Sequence, residues 1–310
     1  MEPHIVVILC NPKIKKMKNS IKYSQIFPFL ALCILAFSCQ KMTRPSMGDY
    51  PKDANPPGGP LKFFAAFDGN TSNTLMNAVD SIRANFPSDN PLTSVTGVSG
   101  QGVQGDGTKF IKYAAANDFS SHDSSFTIAF WEKRNGIPNG NASFVFTLSS
   151  ANKQWGSYGF SMFALFDWGS WSPATKAKIK FYMVDDNCKC DNWFSWDSSR
   201  YISGKDTVQT DFVANVQDNN WHHIAFVYDA TTSNLTLYVD GAANSHVLQW
   251  YNHGALVSNA SQIQSLDIGG NDNVPNLGWG EHWEGGLDQF RFYGVALSAS
   301  DIQTLYNNKQ

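Results

Sequence analysis

Residues 221–241 read WHHIAFVYDATTSNLTLYVDG. Ile224, Phe226 and Tyr228 alternate on one side of a first strand, and Leu235, Leu237 and Val239 on one side of a second. That two-residue period, rich in β-branched and aromatic residues, marks half-buried strands. The polar stretch DATTSN at 229–234 supplies the turn between them. Asp240-Gly241 supplies a second, tighter turn, because glycine accepts the positive φ that such a turn needs. The stretch therefore predicts a β-hairpin followed by a further reversal.

Similar runs recur on both sides of it, at 62–67, 126–133, 143–148, 178–184, 265–268 and 287–293, separated by clusters of Gly, Asn, Asp and Ser. No long helical pattern alternates with them, which argues against a parallel α/β sheet. The one helical signal is at the end. Ser298 with Asp301 three residues on resembles a capping box, and Ile302 and Leu305 follow on one face. Residues 61–310 are expected to form one all-β domain, about 250 residues long and large enough for a single sizeable core.

The first 38 residues are of another kind. IFPFLALCILAFS at 26–38 is apolar but short for a membrane span, and Lys18 and Lys22 precede it, the layout of an export signal. LAFSC at 35–39 resembles the lipobox of bacterial lipoproteins, in which Cys39 would become the lipidated first residue. The other reading is an ordinary secretory peptide with an incidental cysteine. MKNSIKYS, beginning at Met17, is the more natural start of such a leader. Residues 39–60 hold Pro45, Pro51, Pro56, Pro57 and Pro60 with three glycines and little apolar periodicity, so they read as an extended linker. The expectation is a signal peptide at 1–38, a lipid anchor at Cys39 that meets the membrane, a spacer, and a domain at the outer membrane or cell surface.

Cleavage would remove five lysines and Glu2 from 23 basic and 26 acidic residues, leaving 18 against 25 and a net charge of −7. No basic patch follows a phosphate backbone, so nucleic acid is not an expected partner.

Four segments carry a family resemblance. Phe67-Asp68-Gly69-Asn70 resembles an opening strand and turn. Residues 97–107 followed by FTIAFW at 126–131 resemble a second block, with Gly105 where relatives have an aromatic residue. The hairpin is the third and strongest. WEGGLDQFRFY at 283–293, then Ala296-Leu297-Ser298 and Leu305-Tyr306, resembles a closing strand and short helix. On these residues the chain resembles the laminin-G-like, concanavalin A-like jelly rolls over nearly all of 61–310. The resemblance implies an antiparallel two-sheet jelly-roll sandwich. It also implies one structural Ca²⁺, with Asp68 and Asp288 where oxygen ligands would fall. The competing reading makes Asp68 a turn former and Asp288 a hydrogen-bonded structural residue. Residues from about 149 to 210 fit the pattern poorly and are expected to carry elaborated loops.

The same broad fold houses glucanases, and glycoside hydrolysis generally needs two carboxylates across the cut bond. After the leader, Glu132, Glu281 and Glu284 are the only glutamates, and none has the Glu-x-Asp-x-x-Glu spacing of the jelly-roll glucanases. Glu281-His282 is the one pair retained as a catalytic alternative. No Gly-x-Ser-x-Gly elbow, P-loop or His-Glu-x-x-His is present. His222 and His223 read as strand residues with satisfied ring nitrogens. Cys188 and Cys190 could form a disulfide or remain an unbridged or reversibly oxidised pair, and too few thiols or imidazoles lie nearby in sequence for zinc.

The ten tryptophans are the most informative residues. Trp131, Trp221 and Trp283 fall on family strands. Five of the other seven lie within 155–196, beside Asp, Asn, Ser and Gly. A sugar ring offers an apolar face that stacks on an aromatic plane and a polar rim that seeks Asp, Asn and Lys, a job that suits Trp. The alternative is that these rings plug the outside of the sandwich. The expected glycan platform comprises Trp168, Trp171, Trp193 and Trp196 with Asp167, Asp185, Asp191 and Asn192. The sequence thus reads as a non-catalytic, lectin-like carbohydrate-binding lipoprotein. The rivals are an adhesion or protein-interaction module and a glycoside hydrolase or polysaccharide lyase.

Overall fold

A computed structural model describes residues 59–68, 91–114, 123–136, 140–151, 159–167, 176–196, 200–202, 205–209 and 213–309. The leader, Cys39, most of the linker, Trp168 and Trp171 lie outside the described residues. The strands run in chain order from β1 (Leu61–Ala65), β2 (Thr93–Thr96), β3 (Gln101–Asp106), β4 (Ile111–Ala114), β5 (Phe126–Asn135) and β6 (Ala142–Ser150) to β7 (Phe160–Phe166). There follow β8 (Lys176–Ala177), β9 (Ile179–Asp185), β10 (Cys190–Trp196), β11 (Arg200–Ile202), β12 (Lys205–Gln209) and β13 (Val213–Ala214). The last are β14 (Asp218–Asp229), β15 (Asn234–Val239), β16 (Ala242–Ala243), β17 (Leu248–Gln249), β18 (Ile263–Ile268), β19 (Gly280–His282) and β20 (Glu284–Tyr293), before helix α1 (Ala299–Asn308).

Two sheets make the sandwich. The first runs β16–β15–β14–β5–β20–β3–β2, with β17 added on β15 and β1 sharing with β3 the free edge of β20. The second runs β10–β9–β7–β6–β18–β4 and is antiparallel except where β19 pairs parallel with β6. Two short ribbons, β11–β12 and β13–β8, stand apart. The architecture is the expected antiparallel two-sheet jelly roll with one short C-terminal helix.

The 221–241 hairpin forms as its pattern demands. Ile224, Phe226, Tyr228, Leu235 and Leu237 point into the core between the sheets, and Val239 packs against its edge. The Phe226 ring lies 4.8 Å from Phe181 of the opposite sheet and 6.0 Å from Trp196. Asp240 and Gly241 take φ of 49° and 80°, the left-handed pair of a tight hairpin turn into β16. The paired histidines separate. His222 is held by Asp240 at 2.8 Å and Asp218 at 2.9 Å. Burial opposes its charge, but these hydrogen bonds prevail and lift it to about 9. Burial, reinforced by the Arg291 charge, pushes His223 down to about 3. Its ring nitrogens are buried with no hydrogen-bond partner, unlike the satisfied pair expected.

The 149–210 expectation is corrected here. The region holds β7, β9 and β10, which extend the second sheet to its edge. FSMFALF in β7 is buried at every position and apolar but for Ser161, because both its faces are covered, so the two-residue period is silent there. In β10, CDNWFSW opens on polar residues that look like a loop in sequence but pair with β9 across its length.

Each sheet also has an outward apolar face. Leu61, Phe64, Ala129, Ala225, Val227 and Tyr238 of the first are sealed by Ile302 and Leu305 of α1. The capping box forms as predicted: Ser298 Oγ accepts from Asp301 N–H at 3.2 Å, and Asp301 Oδ2 accepts from Ser298 N–H at 3.1 Å. The outward face of the second sheet carries rings instead.

Candidate functional site: an aromatic depression on the second sheet

The site follows from strand parity. In β10, Phe194 and Trp196 point into the core, so Trp193 points outward. In β9 the same alternation turns Phe181 inward and Lys180 and Tyr182 outward. Register sets Trp193 opposite Tyr182, Tyr182 opposite Phe163, and Lys180 opposite Leu165. Phe163 and Tyr182 stack at 4.9 Å, and Trp193 meets both, at 5.2 and 5.1 Å. Phe144 extends the floor, 5.1 Å from Phe163 and 5.9 Å from Trp279. Trp279 arrives from another part of the chain. It follows the 3-10 helix Val274–Leu277, whose cap Gly278 takes φ of 73°. The Trp279 carbonyl is pinned by the Ala142 N–H at 2.9 Å.

Trp193 and Trp279, both half-buried, line a depression of about 310 Å³ together with Leu165, Asp167 and Lys180. Asp167 directly follows β7 and pairs with Lys180 Nζ at 2.6 Å. The same ammonium lies 6.0 Å from the centre of the Trp193 ring. Beyond Trp193, Asp191 accepts a hydrogen bond from Tyr182 Oη at 2.9 Å. Burial, with Asp191 adding, raises the Tyr182 hydroxyl, which stays a donor. The arrangement offers two amphipathic ring planes, an anion and a cation around one concavity, a setting for apolar faces ringed by hydroxyls.

Three expected platform residues are placed elsewhere. Trp196 lies three residues from Trp193 in one strand, hence on the opposite face. It is fully buried, with Nε1 donating to the His246 carbonyl at 2.9 Å. Asn192 shares its parity and lies opposite Met183 on the core side. Asp185 is buried and its carboxylate is saturated by Asn187 N–H, Cys188 N–H, Val257 N–H and His253 Nε2. Trp250, another tryptophan outside the expected platform, is a core residue. Of the expected group, Trp193 and Asp167 meet in the depression and Asp191 lies beside Trp193. Lys180 and Leu165 were not expected there, and Trp279 lay outside the expected platform. Lys180 carries a signal, being the polar member of an alternating strand, but nothing in sequence joins it to Asp167.

The glutamates stand away from this face. Glu132 is buried inside the sandwich, and burial pushes it well above the usual carboxylate range. Glu281 accepts from Ser143 Oγ at 2.9 Å and lies 3.7 Å from the buried Arg134. Among the described residues lining the depression, Asp167 is the one carboxylate.

Asp68 and Asp288 do come together. Asp288 Oδ2 accepts from Val98 N–H and Asp68 Oδ1 from Gln101 N–H, both at 2.8 Å, so the carboxylates bracket the 97–100 turn. A side chain at Gly97 or Gly100 would overlap them. Asp288 is fully buried, and its Oδ1 has no hydrogen-bond partner. Burial, with the Asp68 charge adding, pushes its carboxyl up to about 8. An orphaned buried oxygen beside a second carboxylate fits a hard cation.

Comparison with known proteins accords with this architecture. No curated protein matches the chain. The chain is similar to the solved binding domain of Paraclostridial Mosquitocidal Protein 1, at 18% identity and TM-score 0.51, over 80% of this chain and 52% of that one. It is similar to the botulinum neurotoxin serotype D binding domain, at 14% identity and TM-score 0.50, over 80% and 51%. Domain 4 of AbnA, a GH43 extracellular arabinanase from Geobacillus stearothermophilus, solved with arabinotriose, is similar at 16% identity and TM-score 0.47, over 79% and 98%. The chain spans about half the length of the first two of these domains, and at these identities the likeness shows the fold alone. A laminin-G-type family model matches residues 106–303, well over half of the chain, and the protein belongs to the concanavalin A-like lectin/glucanases superfamily.

Proposed function

We propose that the protein is a non-catalytic carbohydrate-binding module that captures glycan on the outward face of its second sheet. The observation that carries this reading is the depression where Trp193 and Trp279 flank Asp167 and Lys180. The rings stack on apolar sugar faces, Asp167 accepts from hydroxyls and Lys180 donates to them. The charges of Asp167 and Lys180 offset each other, which suits a neutral saccharide. Among the described lining residues Asp167 is the one carboxylate, which supports binding rather than hydrolysis, since hydrolysis calls for a pair. That two solved domains of this fold are binding domains supports a binding module.

A glycan array with the full chain selects the ligand, and calorimetric titration then compares Trp193→Ala and Trp279→Ala with wild type. By analogy with aromatic stacking on bases, each change costs about 1–3 kcal/mol of binding, roughly tenfold or more in affinity. Variants that bind the selected glycan as tightly as wild type would move the site elsewhere.

The export signal and lipobox support a cell-surface lipoprotein anchored at Cys39, with the Pro/Gly-rich linker holding the domain off the membrane. Cys39→Ala should release the protein from the membrane fraction and change its migration. Unchanged partitioning would remove the anchor.

A structural Ca²⁺ would be held by Asp68 and Asp288, where its charge would offset two facing carboxylates and stiffen the 97–100 turn. Binding to the folded state alone raises stability by mass action. Melts in chelator and in excess Ca²⁺ should separate for wild type and coincide for Asp288→Asn. Coincident wild-type curves would leave the carboxylates as a purely structural pair.

A further inference from the structure

At the far end of β9 and β10 lies a group of donors that the glycan site does not use. Cys188 and Cys190 flank Lys189, whose φ of 51° turns the backbone so that both sulfurs converge, and they form a disulfide. His253 reaches them from 65 positions along the chain. A nitrogen of its ring and both sulfurs lie within 4.8 Å of one another.

The imidazole is held on several sides. Its ring stacks on Trp250 at 3.7 Å, nearly parallel at 5°. Tyr251 and Asn252, with φ of 38° and 58°, form the turn that folds His253 back, closed by the His253 N–H on the Trp250 carbonyl at 2.7 Å. Asp185 Oδ2 accepts from Nε2 at 2.7 Å. The other Asp185 oxygen accepts from the N–H groups of Asn187 and Cys188, so one buried carboxylate positions both the cysteine turn and the ring. A carboxylate on one imidazole nitrogen fixes the tautomer and leaves the lone pair of the other, here Nδ1, for a metal.

We propose that Cys188, Cys190 and His253 form a redox-gated site for a thiophilic metal ion of the Zn²⁺ type, closed by the disulfide and opened by its reduction. Two thiolates and an imidazole are a zinc donor set that leaves a fourth position for water or a further ligand. Exchange with a dithiol reductant breaks the Cys188–Cys190 bond, forms the reductant's own disulfide, and moves two electrons and two protons onto the cysteines. Metal binding then releases one proton from each thiol. Cys188 is exposed, so reductant and ion can both reach it.

The full chain, reduced with a phosphine under anaerobic conditions and desalted, is titrated with Co²⁺ as a spectroscopic probe. Reduction by the phosphine consumes one water and yields the phosphine oxide and two thiols. The reduced protein should bind one equivalent with thiolate-to-cobalt charge-transfer absorption and visible bands of tetrahedral strength, both lost when Zn²⁺ displaces the probe. Oxidised wild type has the same fold with its sulfurs tied together and should show neither. His253→Gln should weaken binding at least tenfold and alter the visible bands. Asp185→Asn, at a positioning residue, should weaken binding by about ten- to a hundredfold while the charge-transfer absorption remains. The proposal is overturned if reduced wild type shows no charge-transfer absorption, if oxidised protein binds equally well, or if His253→Gln leaves affinity and spectrum unchanged.

Discussion

The two sheets solve one problem in different ways. Each has an apolar face turned away from the shared core. On the first, small residues such as Ala129, Ala225 and Val227 leave room for α1 to lie down and bury Ile302 and Leu305. On the second, Phe144, Phe160, Phe163, Tyr182 and Trp193 fill that space with their own rings. Among the described residues, the apolar side chains packed across them from outside the sheet are Val274, Leu277 and Trp279. One face is sealed by the chain; the other keeps a concavity with two half-buried indoles and an ion pair. Apolar area alone therefore does not mark a binding face. What marks it is area the chain leaves partly uncovered, next to polar groups that can replace water.

The sharpest way to break this contrast is to empty the sealed face. Ile302 is fully buried beneath the helix, and truncation should leave a cavity that the sheet cannot collapse into. Ile302→Ala should cost about 2–5 kcal/mol of stability without changing glycan affinity. A thermal melt and a titration on the same sample separate the two. Lost binding with an unchanged melt would mean that α1, not the ring face, meets the ligand.

How far this contrast was legible in the sequence depended on strand parity. The hairpin announced itself because Ile224, Phe226, Tyr228, Leu235 and Leu237 recur at every second position as large inward residues, and α1 did so through Ser298 and Asp301. The aromatic face was half visible. The tryptophan surplus pointed to Trp193, but read as a loop the segment could not distinguish it from Trp196. Recognising β10 as a strand separates them at once, since an odd spacing places them on opposite faces. Asp167 with Lys180, and Cys188 with His253, meet only through register and loop crossing, which one-dimensional spacing does not encode.

Trp193→Ala sharpens the comparison from the other side. The ring touches Phe163, Tyr182 and the Lys180 ammonium while remaining half-buried, so its removal opens a gap to solvent rather than a closed cavity. It should lower stability less than Ile302→Ala while lowering affinity, the reverse of the pattern on the sealed face. A Trp193→Ala protein that melts as early as Ile302→Ala and binds normally would make the ring a plug, and the two faces would then differ only in how they are covered.

The smallest effect tests whether the seal depends on the helix holding its own shape. Ser298 Oγ accepts from the Asp301 N–H, and the Asp301 carboxylate returns the bond to the Ser298 N–H. Both amides would otherwise face solvent at the first turn, where a helix has no internal partners for them. Ser298→Ala removes one of these bonds and should cost about 1 kcal/mol. Because Ile302 lies one turn further on, a frayed start would loosen the contact with Ala225 and Val227 first. Hydrogen exchange should therefore accelerate at the amides of 301–305 while those of β7, β9 and β10 stay as protected as in wild type. Equal acceleration on both sheets would show that the two faces are coupled through the core, and that the sealed face stabilises the open one as well as itself.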